Sequence, residues 1–200
     1  MQLDIPPGDF AGYLFDLDGT LIDTMPVHLI AWQAAMQDVG LRGRLDEDYF
    51  YSLGGMPTPL VAGLLGRHHG LVIADPDRVA HEKELRYLEA LKQGVPLVEP
   101  VVAFARRIAP LHPRAIVTGG APIIAYPSIR ASGLAELFEV VITPEDVPAG
   151  RGKPAPDMFL LAAQRLGVPP ESCLVFEDAA PGIAGARAAG MQVVHVPTRR

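Results

Sequence analysis

The chain has 200 residues, 49% of them hydrophobic, and its 17 lysines and arginines against 23 aspartates and glutamates leave a net charge of −6. That length suits one domain, or one domain carrying an insert. The acidic balance argues against a nucleic-acid partner or an anionic membrane surface, both of which need a basic patch, and leaves small-molecule chemistry as the expectation.

Short β-type apolar runs lie at 11–15, 115–117, 140–142, 173–176 and 193–196, with helical patterns between them. That alternation predicts βαβ units and a doubly wound, Rossmann-like α/β fold with a parallel sheet. The long stretch between Phe15 and Ala115 breaks the rhythm and reads as mostly helical, which implies an insertion. Leu29, Trp32, Met36 and Val39 share one helical face; Leu60, Val61, Leu64 and Leu65 suggest a second helix, and Leu85, Leu88 and Leu91 a third after the Asp75-Pro76-Asp77 start signal. With hinges at 23–26 and 93–96, where Gly and Pro punctuate the pattern, the expected organisation is a core of 1–23 and 94–200 and a helical cap of 24–93. In the helical pattern 123–131, Pro127 occupies an interior position that costs about 3 kcal/mol, so the helix is expected to start later or to kink. The helix at 158–166 is bracketed by Asp157 and Gly167, and that at 183–189 ends at Gly190. Cys173 is the single cysteine, which excludes an internal disulfide and a cysteine-rich zinc site and fits a reducing cytoplasm. No run approaches the ~18 apolar residues of a membrane span, and the first residues lack a basic-then-apolar leader, so no membrane partner is expected.

The chemistry concentrates where predicted strands end. The run 11–15 breaks into Asp16-Leu17-Asp18-Gly19, and the run 173–176 closes on Glu177-Asp178. Ligands of open α/β sheets bind at the carboxyl ends of strands, so four acids are expected to converge. Two unit charges 4 Å apart repel by about 4 kcal/mol at an effective dielectric of 20, so such a group requires neutralisation. Carboxylate oxygens without clustered His or Cys select a hard cation, and a site open to phosphate and water favours Mg²⁺ over Ca²⁺. Lys153 offers a fixed positive charge; Thr118, followed by Gly119-Gly120, offers a hydroxyl and unhindered N–H groups to an anion. These parts suit phosphoryl transfer through an aspartyl-phosphate. Side chains one residue apart in an extended segment share a face, so Asp16 can attack while Asp18 protonates the leaving oxygen and later takes a proton from water.

Asp16-Leu17-Asp18-Gly19-Thr20-Leu21, then Thr118, then Lys153-Pro154-Ala155-Pro156-Asp157, then Glu177-Asp178-Ala179-Ala180-Pro181-Gly182-Ile183, in that order, resemble the motifs of a haloacid dehalogenase superfamily phosphohydrolase. The resemblance implies Asp16 as nucleophile, Asp18 as general acid and base, Thr118 and the neighbouring Gly119 as phosphate-binding residues and Lys153 as charge clamp. It also implies a Mg²⁺ site of Asp16, Asp178 and the Asp18 carbonyl, with Glu177 assisting directly or through water. An insertion after the first strand is similar to the cap of the β-phosphoglucomutase-like branch, in which His28, Trp32 and Lys83 line up with positions that contact the sugar phosphate. Two positions depart from the mutase: Thr58 stands where it has an arginine for the distal phosphate, and Gly120, Ala121 and Pro122 replace Ser, Lys and Asn. A mutase holds a bisphosphate at both ends, whereas a phosphatase needs one clamp, so hydrolysis of a small sugar monophosphate by a monomer is the expectation. The turn at 53–58 and Pro96-Leu97-Val98 are similar to the fructose-1-phosphate phosphatases of this branch. A phosphosugar mutase is the nearest alternative. A phosphoacceptor signalling domain or a catalytically silent binding domain is a distant one, since signalling domains lack a cap and have no use for Asp18.

Overall fold

A computed structural model describes residues 3–53, 56 and 58–197. The chain divides into two compact units, Met1–Asp23 with Val95–Arg200, and Thr24–Gly94. In chain order β1 (Gly12–Phe15) leads to α1 (Met25–Asp38), α2 (Glu47–Ser52), α3 (Thr58–His68) and α4 (Pro76–Leu91). Then follow α5 (Glu99–Ile108), β2 (Arg114–Val117), α6 (Pro122–Ala131), β3 (Val140–Ile142), α7 (Asp157–Leu166), β4 (Cys173–Glu177), α8 (Ala180–Ala188) and β5 (Gln192–His195).

The five strands form one sheet in the order β3-β2-β1-β4-β5, with every pair parallel. This is the doubly wound α/β fold expected. The strands are short continuous apolar runs because both faces of a parallel sheet are covered. Successive side chains point to opposite faces, which sorts the core in two. Phe15, Leu17, Ile116, Leu174 and Phe176 pack with Val101, Phe104 and Ile108 of α5 and with Ala125 and Ile129 of α6. Leu14, Ala115, Val117 and Val175 pack with Met158, Phe159, Ala162 and Ala163 of α7 and Ala186 of α8. Phe159 is fully buried at the centre of the second cluster. Phe159→Ala is therefore expected to cost about 3–5 kcal/mol, read as a lowered midpoint of chemical unfolding.

Local signals set the helix ends. Helix α7 stops on Gly167, whose φ of 69° is left-handed, the usual helix stop. Helix α8 starts at Ala180, earlier than the expected 183, because Pro181 falls in its first turn, where the missing N–H has no partner to lose. Helix α6 corrects the expectation of a later start: it runs from Pro122 to Ala131 with Pro127 inside. Pro122 takes the favoured first position, and Ile124, Ala125, Ser128 and Ile129 bury one face. The carbonyl that would have received the missing Pro127 N–H belongs to Ile123, a residue that is 49% exposed.

In the helical unit Trp32, Met36, Leu41, Phe50, Val61, Leu65 and Val79 share a core. Helix α4 buries Val79, Ala80, Lys83, Tyr87 and Leu91, whereas Leu85 of the expected stripe is 46% exposed. The two linker segments run side by side: Asp23 N–H donates to the Pro96 carbonyl at 2.8 Å and Val98 N–H to that of Leu21 at 2.9 Å. Among the described residues no helix is long and apolar enough to cross a membrane.

Candidate active site

The register of the central strands sets the site. Phe15 pairs with Phe176, so Asp16 emerges beside Glu177, and Asp16 N–H donates to the Phe176 carbonyl at 2.9 Å. By alternation both acids take the face of Leu14 and Val175, the α7 side. The loop between β3 and α7 brings Lys153 to that face. Its Nζ lies 2.6 Å from Asp16 Oδ1 and 2.6 Å from Glu177 Oε2, and 5.4 Å from the centre of the Phe159 ring. Glu177 Oε1 accepts the Ala179 N–H at 3.1 Å. Glu177 is 1% exposed and Asp16 6%.

After Asp16 the chain turns tightly. The Leu17 carbonyl accepts from Leu21 N–H at 2.9 Å and Ile22 N–H at 3.0 Å, and Gly19 N–H donates to the Ile22 carbonyl at 2.8 Å. Gly19 has a φ of +91°, and a Cβ there would stand 2.4 Å from Asp178 Oδ2, so this position needs glycine for its conformation and for its space. The turn also delivers Thr20, fully buried, whose Oγ1 donates to Asp178 Oδ1 at 3.0 Å. At the end of β2, Thr118 is buried and its Oγ1 accepts the Gly120 N–H at 3.0 Å, which leaves the hydroxyl proton for an anionic acceptor. A Cβ on Gly120 would sit 3.3 Å from Thr118 Oγ1 and 3.6 Å from Asp18 Oδ2, so the Asp18 carboxylate and the Thr118 hydroxyl flank the same small space. Gly119 is exposed beside them.

Burial, then repulsion from Glu177, pushes the Asp16 carboxyl well above the usual carboxylate range, against the pull of Lys153. Burial and Glu177 push Asp178 up to about 7, against the hydrogen bond from Thr20. Burial alone would lower Lys153, but Asp16 and Glu177 outweigh it and raise the ammonium's pKa. One ammonium thus stands among mutually repelling acids. Oxygens of Asp16, Glu177 and Asp178 lie within 4.8 Å of one another, an all-oxygen donor set of the kind that fits a hard divalent cation. The Asp18 carboxylate is outside that group among the described residues.

The expected cap residues form a second group, within the helical unit. Lys83 Nζ lies 2.8 Å from His28 Nδ1; the ammonium donates, so His28 carries its own proton on Nε2. Burial and the Lys83 charge hold His28 well below the usual histidine range. The Lys83 Nζ stands 5.7 Å from the Trp32 ring centre and 5.3 Å from that of Tyr87, and His28 stacks on Tyr87 at 4.1 Å. Tyr87 was not among the expected residues, although it lies one turn beyond Lys83 on the same face. Thr20 was also missed; a hydroxyl directly after Asp18-Gly19 was the available signal. Thr58 opens α3, while Gly54, Gly55 and Pro57 of the turn at 53–58 lie outside the described residues.

Comparison with known proteins identifies the family. Residues 10–190 match the profile of the haloacid dehalogenase-like hydrolases. The chain is 39% identical over 190 residues to the fructose-1-phosphate phosphatase YqaB of Escherichia coli, a match covering 94% of this chain and 96% of that protein. It is 35% identical to hexitol phosphatase A of the same organism, over 92% of this chain and 82% of the relative. A haloacid dehalogenase family hydrolase of Deinococcus radiodurans, solved with bound phosphate and sodium, superimposes with a TM-score of 0.72 at 33% identity, covering 92% of this chain and 80% of that one.

Proposed function

Because the chain belongs to the haloacid dehalogenase-like hydrolase family, we propose that this phosphoric monoester hydrolase acts on a small sugar phosphate of the fructose 1-phosphate kind, with Mg²⁺ and through an aspartyl-phosphate on Asp16. The observation that carries the reading is the placement of Asp16. It directly follows the central strand, is buried, and is held 2.6 Å from a lysine, with a second carboxylate, Asp18, and the Thr118 hydroxyl both facing the space at Gly120. The sheet unit is the catalytic core and the helical unit 24–94 its cap, with His28 and Lys83 assigned to the sugar.

In this mechanism Lys153 and Thr118 receive the phosphoryl oxygens, with the N–H of Gly119 as a further donor. An Asp16 oxygen attacks phosphorus, the bond to the sugar oxygen breaks, and Asp18 supplies the proton that this oxygen needs. Asp18 then takes a proton from water as the water attacks the same phosphorus. Asp16 is released as carboxylate, and the products are the free sugar and inorganic phosphate. Asp16, Asp178, Glu177 and the Asp18 carbonyl would hold Mg²⁺, which when bound supplies charge to offset that on the phosphoryl oxygens. Sugar monophosphates are favoured over a bisphosphate intermediate because Thr58 and the Gly120-Ala121-Pro122 segment offer no second cationic clamp. The 39% identity to a fructose-1-phosphate phosphatase points the same way. The buried, lone Cys173 suits a reducing cytoplasm, and the enzyme is assigned there as a monomer.

Phosphate release from a panel of sugar monophosphates, with Mg²⁺ or with EDTA, tests the proposal. The expected result is release that EDTA abolishes and that is highest for fructose 1-phosphate or a close hexose phosphate. Conversion of hexose 1-phosphate to hexose 6-phosphate without release would make the protein a mutase, and a long-lived phosphoprotein without turnover would make it a phosphoacceptor.

A further inference from the structure

We propose that Gly182 is a positioning residue of this active site, because its missing side chain is what allows Glu177 to hold Lys153 against Asp16. The proposal rests on the phosphatase reading above and assigns Glu177 a part beyond the acidic cluster.

Gly182 lies within α8 and is not among the glycines with positive φ, so backbone conformation does not require glycine there. Helix interiors favour alanine over glycine, and α8 is otherwise rich in it, with Ala180, Ala184, Ala186 and Ala188. Space is the remaining reason. A Cβ at 182 would stand 2.0 Å from Glu177 Oε2, 2.1 Å from Cδ and 2.7 Å from Cγ. The Glu177 carboxylate therefore lies directly against the first turn of α8. There Oε1 accepts the Ala179 N–H at 3.1 Å and Oε2 the Lys153 ammonium at 2.6 Å. The same ammonium reaches Asp16 Oδ1 at 2.6 Å. Glycine, glutamate, lysine and nucleophile thus form one chain of contacts in which each member sets the next.

The three atoms nearest an added methyl all belong to one side chain, that of Glu177. The fold can accept it by turning Glu177 away, and the loss then falls on the aim of Lys153. Gly185, one turn later, differs in kind: a Cβ there would meet the Phe159 ring at 2.9 Å and the Ala155 carbonyl oxygen at 3.0 Å. One is a fully buried ring and the other is backbone, and neither is the free end of a flexible side chain, so alanine at 185 strains the fold itself.

The test is Gly182→Ala, read by steady-state kinetics, thermal unfolding and a crystal structure, with Gly185→Ala as the contrasting variant. The proposal expects kcat to fall about 10- to 100-fold in a protein that still folds, with a smaller loss of Tm than Gly185→Ala shows. In a Glu177→Ala background the three atoms nearest that methyl, Oε2, Cδ and Cγ of Glu177, are gone, so Gly182→Ala should change kcat there by less than about twofold; a merely structural glycine would cost the same in both backgrounds. A kcat near that of the wild type, or losses that add in the double variant, overturns the proposal. Should Gly182→Ala not fold, recovery of folding in the Glu177→Ala background supports it, and failure in both overturns it. A wild type without phosphatase activity would remove the phosphatase reading alone. The positioning role would then be decided by the crystal structure of Gly182→Ala: an open Lys153–Glu177 pair supports it, and an intact pair overturns it.

Discussion

Asp16→Asn is expected to lower phosphate release by about 10⁴-fold or more, the scale on which loss of an essential nucleophile registers, while leaving the protein folded. The carboxamide oxygen is neutral and weakly nucleophilic, so no covalent phosphoenzyme can form. The fold should tolerate the change because the Asp16 charge is an electrostatic burden: burial and Glu177 both work against it. Glu177 remains to balance Lys153 at 2.6 Å. Phosphate release and thermal unfolding of the same preparation measure both halves. Turnover close to that of the wild type would remove Asp16 as nucleophile.

Lys153→Met carries the second large effect, and this one should reach stability as well as rate. Methionine retains an aliphatic stem and removes the charge, leaving Asp16 and Glu177 buried without their cation. Breaking one partner out of a buried ion pair costs about 3 kcal/mol, and loss of a preorganised charge facing the phosphoryl group costs about 10²- to 10³-fold in kcat. Added Mg²⁺ should therefore raise the Tm of this variant by more than it raises that of the wild type, because more uncompensated carboxylate awaits it. Equal stability of wild type and variant at neutral pH, without metal, would show that the lysine does not neutralise the cluster.

The strands were legible in the sequence because a parallel strand covered on both faces is a short unbroken apolar run, and the acids of the candidate site follow two such runs directly. Helix α5 went unread even though Val101, Val102, Phe104, Ala105 and Ile108 carry a helical stripe; it lay in the same long segment as the insertion, and only the sheet separates them. Helix α2 has six residues and owes its start to one local contact, Asp46 Oδ1 accepting the Tyr49 N–H at 3.0 Å, a signal too short for periodicity to show. In α4 the leucines misled. Periodicity ranks Leu85 above Lys83, but the buried stripe runs through Val79, Lys83, Tyr87 and Leu91 because Lys83 finds His28 and two aromatic rings there.

The chain by itself determined the chemistry available: which acids, which lysine and which hydroxyl, each at the end of a strand or in a loop beside one, and an all-oxygen donor set suited to a hard cation. Tertiary structure decided how they meet. Thr20 and Asp178 are separated by 158 positions and Lys153 and Asp16 by 137, and no local rule relates groups so far apart. Their distances follow from a strand order and a register that bring Asp16 beside Glu177 on the α7 face. That choice is made by the packing of Leu14, Val175 and Phe159 on that face against Phe15, Leu17 and Phe176 on the other. The sharing of Lys153 between two carboxylates, and the glycine that leaves room for one of them, exist only once that packing is complete.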